Sequence, residues 1–262
     1  MRNAVTVALL IFLSGGILSA AVRQTRQSVD YVSPNIGGIG QLLTATVPYV
    51  QCPHGMAQIF PITTPGITDR YLADKIYGFS AGPAVLMASV GGADPNPATY
   101  ASDFDHDFET ATPYYYQANL QTWGINAEMT ATRRAAVYRF TFPASKHAHL
   151  MLGLRQEAEF SVAGNRVVEG SERIGGPRGE TAAPDQETRA YFYAEFSVPF
   201  RSYQTWKGME ITSATNQAGS HLGFVTDSAT TSGEKIEVRV GMSYISIDQA
   251  RRNLEREIPT WN

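Results

Sequence analysis

Short runs in which β-branched and aromatic residues alternate with polar ones recur along the chain between Gly- and Pro-containing turns. They cover residues 47–50, 115–120, 127–132, 135–142, 148–154, 190–200, 221–226 and 235–246. In AVYRFTF, Tyr138, Phe140 and Phe142 alternate with Val137, Arg139 and Thr141; in KIEVRVGM, Ile236, Val238, Val240 and Met242 alternate with Glu237, Arg239 and Gly241. A strand with one face to bury reads this way, and many such strands at short spacing predict an all-β antiparallel sandwich rather than alternating β and α units. The polar, Gly- and Pro-rich segment 170–188 predicts a surface loop. One helix is expected, at the end: Ser246 and Gln249 make a capping box, and Ile247, Ala250, Leu254 and Ile258 share a face before Pro259 stops it. It needs a surface to lie on, and the large aromatic Trp261 after it is unusual at a terminus.

The length of 262 residues suits one large domain. A net charge of −3, with cations scattered rather than striped, gives no footprint for nucleic acid. Arg2, an apolar run from Ala4 to Leu18 and then Ser19, Ala20 and Ala21 have the layout of a secretory signal peptide. The expected domains are therefore a signal over 1–21, a sandwich over 28–245 and a helix over 246–262, the mature protein being secreted or periplasmic and free of the membrane. Cys52 is the only cysteine, which rules out an internal disulfide.

Few residues suggest chemistry directly. Asp103, Asp105, Asp107 and Glu109 fall at every second position, so in an extended strand four carboxylates would line one face, as a hard cation would require. The Gly of an EF-hand loop is replaced by Phe108, and a solvated acidic loop is the simpler reading. His147 and His149 share a strand face but lack a third ligand. Tyr114, Tyr115, Tyr116 and Trp123 offer flat faces for a sugar, although such aromatics usually belong to a core. No GxSxG elbow supports a Ser-His-Asp triad.

Six segments in order, DYVSPNIGGIG, VQCPHGMAQIFP, DKIYGFS, FDHDFETATPYYYQANLQTWGINAEMTATRRAAVYRFTFP, RAYFYAEFSVPF and VGMSYISIDQARRNLEREIPTWN, resemble the N-terminal domain of family-92 glycoside hydrolases, secreted exo-α-mannosidases. The resemblance implies an antiparallel sandwich of the supersandwich type with a short C-terminal linker helix. It also implies that the catalytic acid and base, and most ligands of the family's Ca²⁺, come from a helical catalytic domain, so neither a catalytic nor a metal-binding residue is carried over. The expected function is that of a carbohydrate-binding accessory domain for α-mannoside glycans, its helical partner lost or supplied in trans. Substrate-binding positions implied by the resemblance are Arg70, Tyr71, Gly78, Phe79, Ser80, His106, Asp107 and Glu109. After Gly78-Phe79-Ser80 the family commonly shows His-x-His and a Ser-Gly pair, where this chain has AGPAVLMAS. An autonomous metal-dependent hydrolase and a protein-interaction module are the alternatives.

Overall fold

The computed structural model describes residues 26–38, 46–63, 73–92, 94, 96–174 and 188–261. The signal-peptide expectation, Arg70 and Tyr71 lie outside these residues. The first strands are β1 (Pro61–Thr63), β2 (Lys75–Ala81), β3 (Ala84–Val90), β4 (Ser102–Asp103), β5 (Thr110–Thr112) and β6 (Tyr115–Leu120). Next come β7 (Ile125–Ala131), β8 (Ala135–Phe142), β9 (Ser145–Leu154), β10 (Ala158–Ala163), β11 (Val167–Ile174) and β12 (Thr188–Phe196). The last are β13 (Ser202–Lys207), β14 (Glu210–Thr212), β15 (Asn216–Gly219), β16 (Leu222–Thr230) and β17 (Glu234–Ser243). Among the described residues there are two α-helices, α1 (Pro97–Tyr100) and α2 (Ile247–Glu257).

The strands form two antiparallel sheets. One has eight strands in the order β1-β2-β3-β9-β16-β13-β14 with β4 on β2; the other has nine in the order β15-β10-β11-β12-β17-β8-β7-β6-β5. The alternating strands bury the face that their sequence marks. Tyr138, Phe140 and Phe142 of β8 and Ile236, Val238, Val240 and Met242 of β17 all enter the core between the sheets. Facing them are Phe79, Leu86, Leu150, Leu152 and Phe224 of the other sheet. The interior is rich in aromatics because each inward position must span half of a gap of about 10 Å between sheets.

The outer face of β17 is covered as well. Arg239 and Ser243 are buried there, and Gly241 lies directly beneath α2. A Cβ on Gly241 would stand 2.1 Å from the Ala250 carbonyl oxygen, so the missing side chain sets how closely the helix approaches. The helix buries Ala250, Asn253 and Leu254. Ser246 caps it by accepting Gln249 N–H at 3.1 Å, but the Gln249 side chain bonds Asn253 instead of returning to the cap, so half of the expected box forms. At the far end Glu257 accepts from Thr132, Arg134 N and Arg134 Nε, the last at 2.6 Å. Arg239 donates to the Ile258 carbonyl and lies 4.6 Å from the Trp261 ring, so the terminal aromatic has a seat on this domain.

Two expectations are revised. Residues 47–50 contribute only an isolated bridge, Val50 to Ile59, because Pro48 interrupts a ladder there. The predicted loop from 170 starts too early: β11 continues to Ile174, with Gly170, Ser171 and Glu172 buried. Polar residues conceal the strand, and Gly170 is required because a Cβ would meet the Glu159 carbonyl at 2.2 Å.

Candidate functional site

Downstream of β4, Asp105 accepts Asp107 N–H at 2.9 Å and starts a 3₁₀ turn over His106–Phe108. This side-chain cap competes with an extended backbone, and it scatters the four acids expected on one face. Asp103 pairs with Lys75, Asp105 is engaged in the cap, Asp107 is exposed and Glu109 turns inward with 2% of its side chain accessible. Glu109 accepts from the Tyr116 hydroxyl at 2.6 Å and lies 2.9 Å from His106 Nδ1, whose Nε2 is 3.0 Å from the Ala73 carbonyl. These carboxylates do not fit a Ca²⁺ site because they diverge. Among the described residues no group of three or more His, Cys, Asp or Glu is disposed to hold a metal.

Gly78, Phe79 and Ser80 lie in β2 next to this network, the Phe79 ring being 6.3 Å from that of Tyr116. Phe79 is 1% exposed and belongs to the core. Ser80 Oγ donates to the Gln58 carbonyl and accepts Phe60 N–H, tying β2 to the segment before β1. Gly78 has φ +141°, and a Cβ there would lie 2.5 Å from Val85 Cγ1. It sits in a β-bulge: Ile62 pairs with Gly78 but Thr63 with Ile76, so Tyr77 is the extra residue. The bulge lets Ile76 and Phe79 both face inward and re-aims Tyr77. Of the six expected site residues that are described, five therefore brace the loop or the core, and Asp107 presents a free surface. Tyr116 is core, Trp123 donates to the Tyr100 carbonyl, and Tyr114 bonds Asp30 at 2.7 Å.

His147 and His149 do share the outer face of β9, where His147 Nδ1 is 3.3 Å from Asp227. His149 is buried, with one ring nitrogen 2.8 Å from the Thr226 carbonyl and the other 2.6 Å from that of Gly91. Both nitrogens are occupied by backbone, which leaves neither for a metal.

A cavity that no sequence pattern singled out opens on the same outer face of the eight-stranded sheet. Val85, Gly153, Gly223 and Trp206 stand side by side across β3, β9, β16 and β13. The Trp206 ring lies flat over Gly223, where a Cβ would be 1.9 Å from it, while nothing stands within 4 Å above Gly153. The hollow above Gly153 has a volume of about 410 Å³ and is walled by Tyr77, Tyr100, Trp206, Arg155 and His221, with apolar side chains between them. Burial pushes the Tyr100 hydroxyl up to about 12, against the pull of Arg155. The signal that could have located it is two glycines inside neighbouring strands, which only the register aligns.

The architecture is an antiparallel two-sheet β-sandwich with a helix laid on one face and a hollow on the other. The profile described as "Glycosyl hydrolase family 92 N-terminal domain" matches residues 31–243, and the chain belongs to that family. A family GH92 α-mannosidase from Bacteroides thetaiotaomicron, solved with mannoimidazole, superposes with a TM-score of 0.77 at 25% identity over 87% of this chain and 34% of its own. An inverting GH92 mannosidase from the same organism gives 0.78 at 26%, over 89% and 34%. A protein of Arthroderma benhamiae named an uncharacterized secreted glycosidase is 29% identical over an alignment of 180 residues that covers 60% of this chain and 23% of the relative. The chain thus spans between about a quarter and a third of the relatives it matches. Among the described residues no helix is long and apolar enough to cross a membrane.

Proposed function

We propose that this chain is the substrate-side accessory domain of a secreted α-mannosidase-like glycoside hydrolase: it binds α-mannoside glycans and packs against a helical catalytic domain that lies outside these 262 residues. The observation that carries the reading is the superposition of 87–89% of the chain on about a third of each of two mannosidases. Tyr244 and Ile245, 54% and 76% exposed at the junction between β17 and α2, are the kind of apolar surface that a docked domain covers. Catalysis, with its acid and base carboxylates and the family's Ca²⁺, belongs in this reading to the partner domain. After Ser80 the chain reads AGPAVLMAS where the family commonly shows His-x-His and a Ser-Gly pair, and in this reading that departure alters the wall that this domain offers to a sugar.

The test is hydrolysis of α-1,2-mannobiose and of an aryl α-mannoside by the purified chain, alone and with a separately expressed family-92 helical domain, with and without Ca²⁺. Turnover only in the mixture is expected. Turnover by the chain alone would overturn the accessory role and return attention to an autonomous hydrolase. A mixture no faster than the helical domain by itself would remove the partnership.

A further inference from the structure

We infer that the hollow above Gly153 on the outer face of the eight-stranded sheet is a binding subsite for a pyranose ring, a site separate from the loop residues that the family pattern suggests. Three observations converge on it. The first is the unpaired polar chemistry of its wall. Among the described residues the Tyr77 and Tyr100 hydroxyls, the Arg155 guanidinium, the His221 imidazole and the Trp206 indole N–H make no hydrogen bond or ion pair with the protein, although all five side chains line one cavity. Arg155 and His221 are exposed and Tyr77 and Tyr100 half-buried, so these polar groups are open to a ligand that enters the hollow.

The second is that the hollow is built by special backbone rather than left by chance. Gly153 stands near the end of β9, paired with Val85 on one side and Gly223 on the other, with open space where a side chain would be, although a paired strand position disfavours glycine by roughly 0.5–1 kcal/mol relative to alanine. The bulge at Gly78 turns Tyr77 out of the core pattern. His221 holds a left-handed φ of +55°, rare for a residue with a Cβ, and is laced to the rim by its carbonyl, which accepts Gly208 N–H, and by its N–H to the Arg155 carbonyl. Glu172, buried, accepts the N–H groups of Arg155 and Gln156 and so fixes the turn that displays Arg155.

The third is the match of shape and chemistry. About 410 Å³ falls in the roughly 300–1,000 Å³ range of small-ligand sites and accommodates a mono- or disaccharide. Aromatic rings and aliphatic side chains suit the C–H face of a pyranose, while hydroxyl, guanidinium and N–H groups on the same wall suit its hydroxyls. A purely apolar ligand would leave those donors unpaired. The choice of an α-mannoside as the sugar rests on the proposed function above.

The experiment is titration of methyl α-mannoside and α-1,2-mannobiose into the full chain, read by calorimetry and by amide shifts, for wild type, Gly153→Leu, Tyr100→Phe and Arg155→Gln. Gly153→Leu fills the hollow without touching another side chain at its Cβ and is expected to abolish binding. Tyr100→Phe and Arg155→Gln, which keep the shape, are expected to weaken it by roughly three- to tenfold each. Equal affinity of wild type and all three variants would overturn the subsite and leave the accessory-domain reading intact. A wild-type chain that binds neither sugar yet still raises the turnover of the helical domain would overturn the subsite and the glycan-binding half of the proposed function, and leave its docking half standing. Failure of both binding and stimulation would remove both.

Discussion

Replacing Gly241 by alanine tests whether α2 is held by close approach to β17. The new Cβ would stand 2.1 Å from the Ala250 carbonyl oxygen and 2.8 Å from Leu254 Cβ. Moving the carbonyl out to 3.4 Å, where ordinary contact begins, requires the helix to withdraw by about 1.3 Å. A gap of roughly 0.5–1 Å already forfeits a quarter to a half of a dispersion well. Ala250 and Leu254, both fully buried, would therefore lose much of their packing. Complete loss of a buried Leu costs about 2–5 kcal/mol, and overpacking typically about 1–3. We expect a destabilisation of about 2 kcal/mol in urea unfolding, with an early change in Trp261 emission as the ring leaves Arg239. Gly153→Ala is the matched control: with nothing within 4 Å of its Cβ, it should be neutral or more stable by up to about 1 kcal/mol. A Gly241→Ala protein within about 0.5 kcal/mol of wild type, its helix amides equally protected from exchange, would refute the close-approach argument.

Three further outcomes follow from buried polar groups. Tyr138→Phe removes the hydroxyl that donates to the Ser80 carbonyl inside the core and should cost about 1–3 kcal/mol in denaturant unfolding. Ser89 Oγ is buried without a partner among the described residues, so Ser89→Ala should leave stability unchanged or raise it by about 1 kcal/mol; a loss larger than that in the same assay would reveal a hidden bond. Burial pushes the Glu257 carboxyl up, but Thr132 and Arg134 outweigh it and hold the group below its ordinary 4.5. Its contribution is thus present above pH 4.5 and is lost as pH falls through the lowered value; wild type and Glu257→Gln should converge in stability under acid, and a gap that persists there would contradict this assignment.

Much of the fold is determined locally. The alternation in β8 and β17 sets which side chains face inward, because a strand's two faces are separated by a period of two. Ser246 and the spacing of Ala250 and Leu254 likewise determine a helix with one face to bury, and the six ordered segments determine the family. β2 and β3 are harder to read: KIYGFSA and AVLMASV are buried on both sides, so they lack alternation, and a bulge at Gly78 shifts the pattern midway. Only the tertiary structure decided what the candidate residues do. Asp103 to Glu109 form an acidic run in sequence, but a turn started by Asp105 sends the carboxylates in different directions. Glu109 has a local partner in His106, but its Tyr116 partner and the Glu195 partner of Arg239 lie on other strands. The hollow above Gly153 draws its wall from β1, β2, β9, β13 and the turns at Arg155 and His221, residues up to 160 positions apart by number, from Ile62 to Leu222. Sheet register brought them together, and register between distant strands is settled by packing of the whole core rather than by any local run of residues.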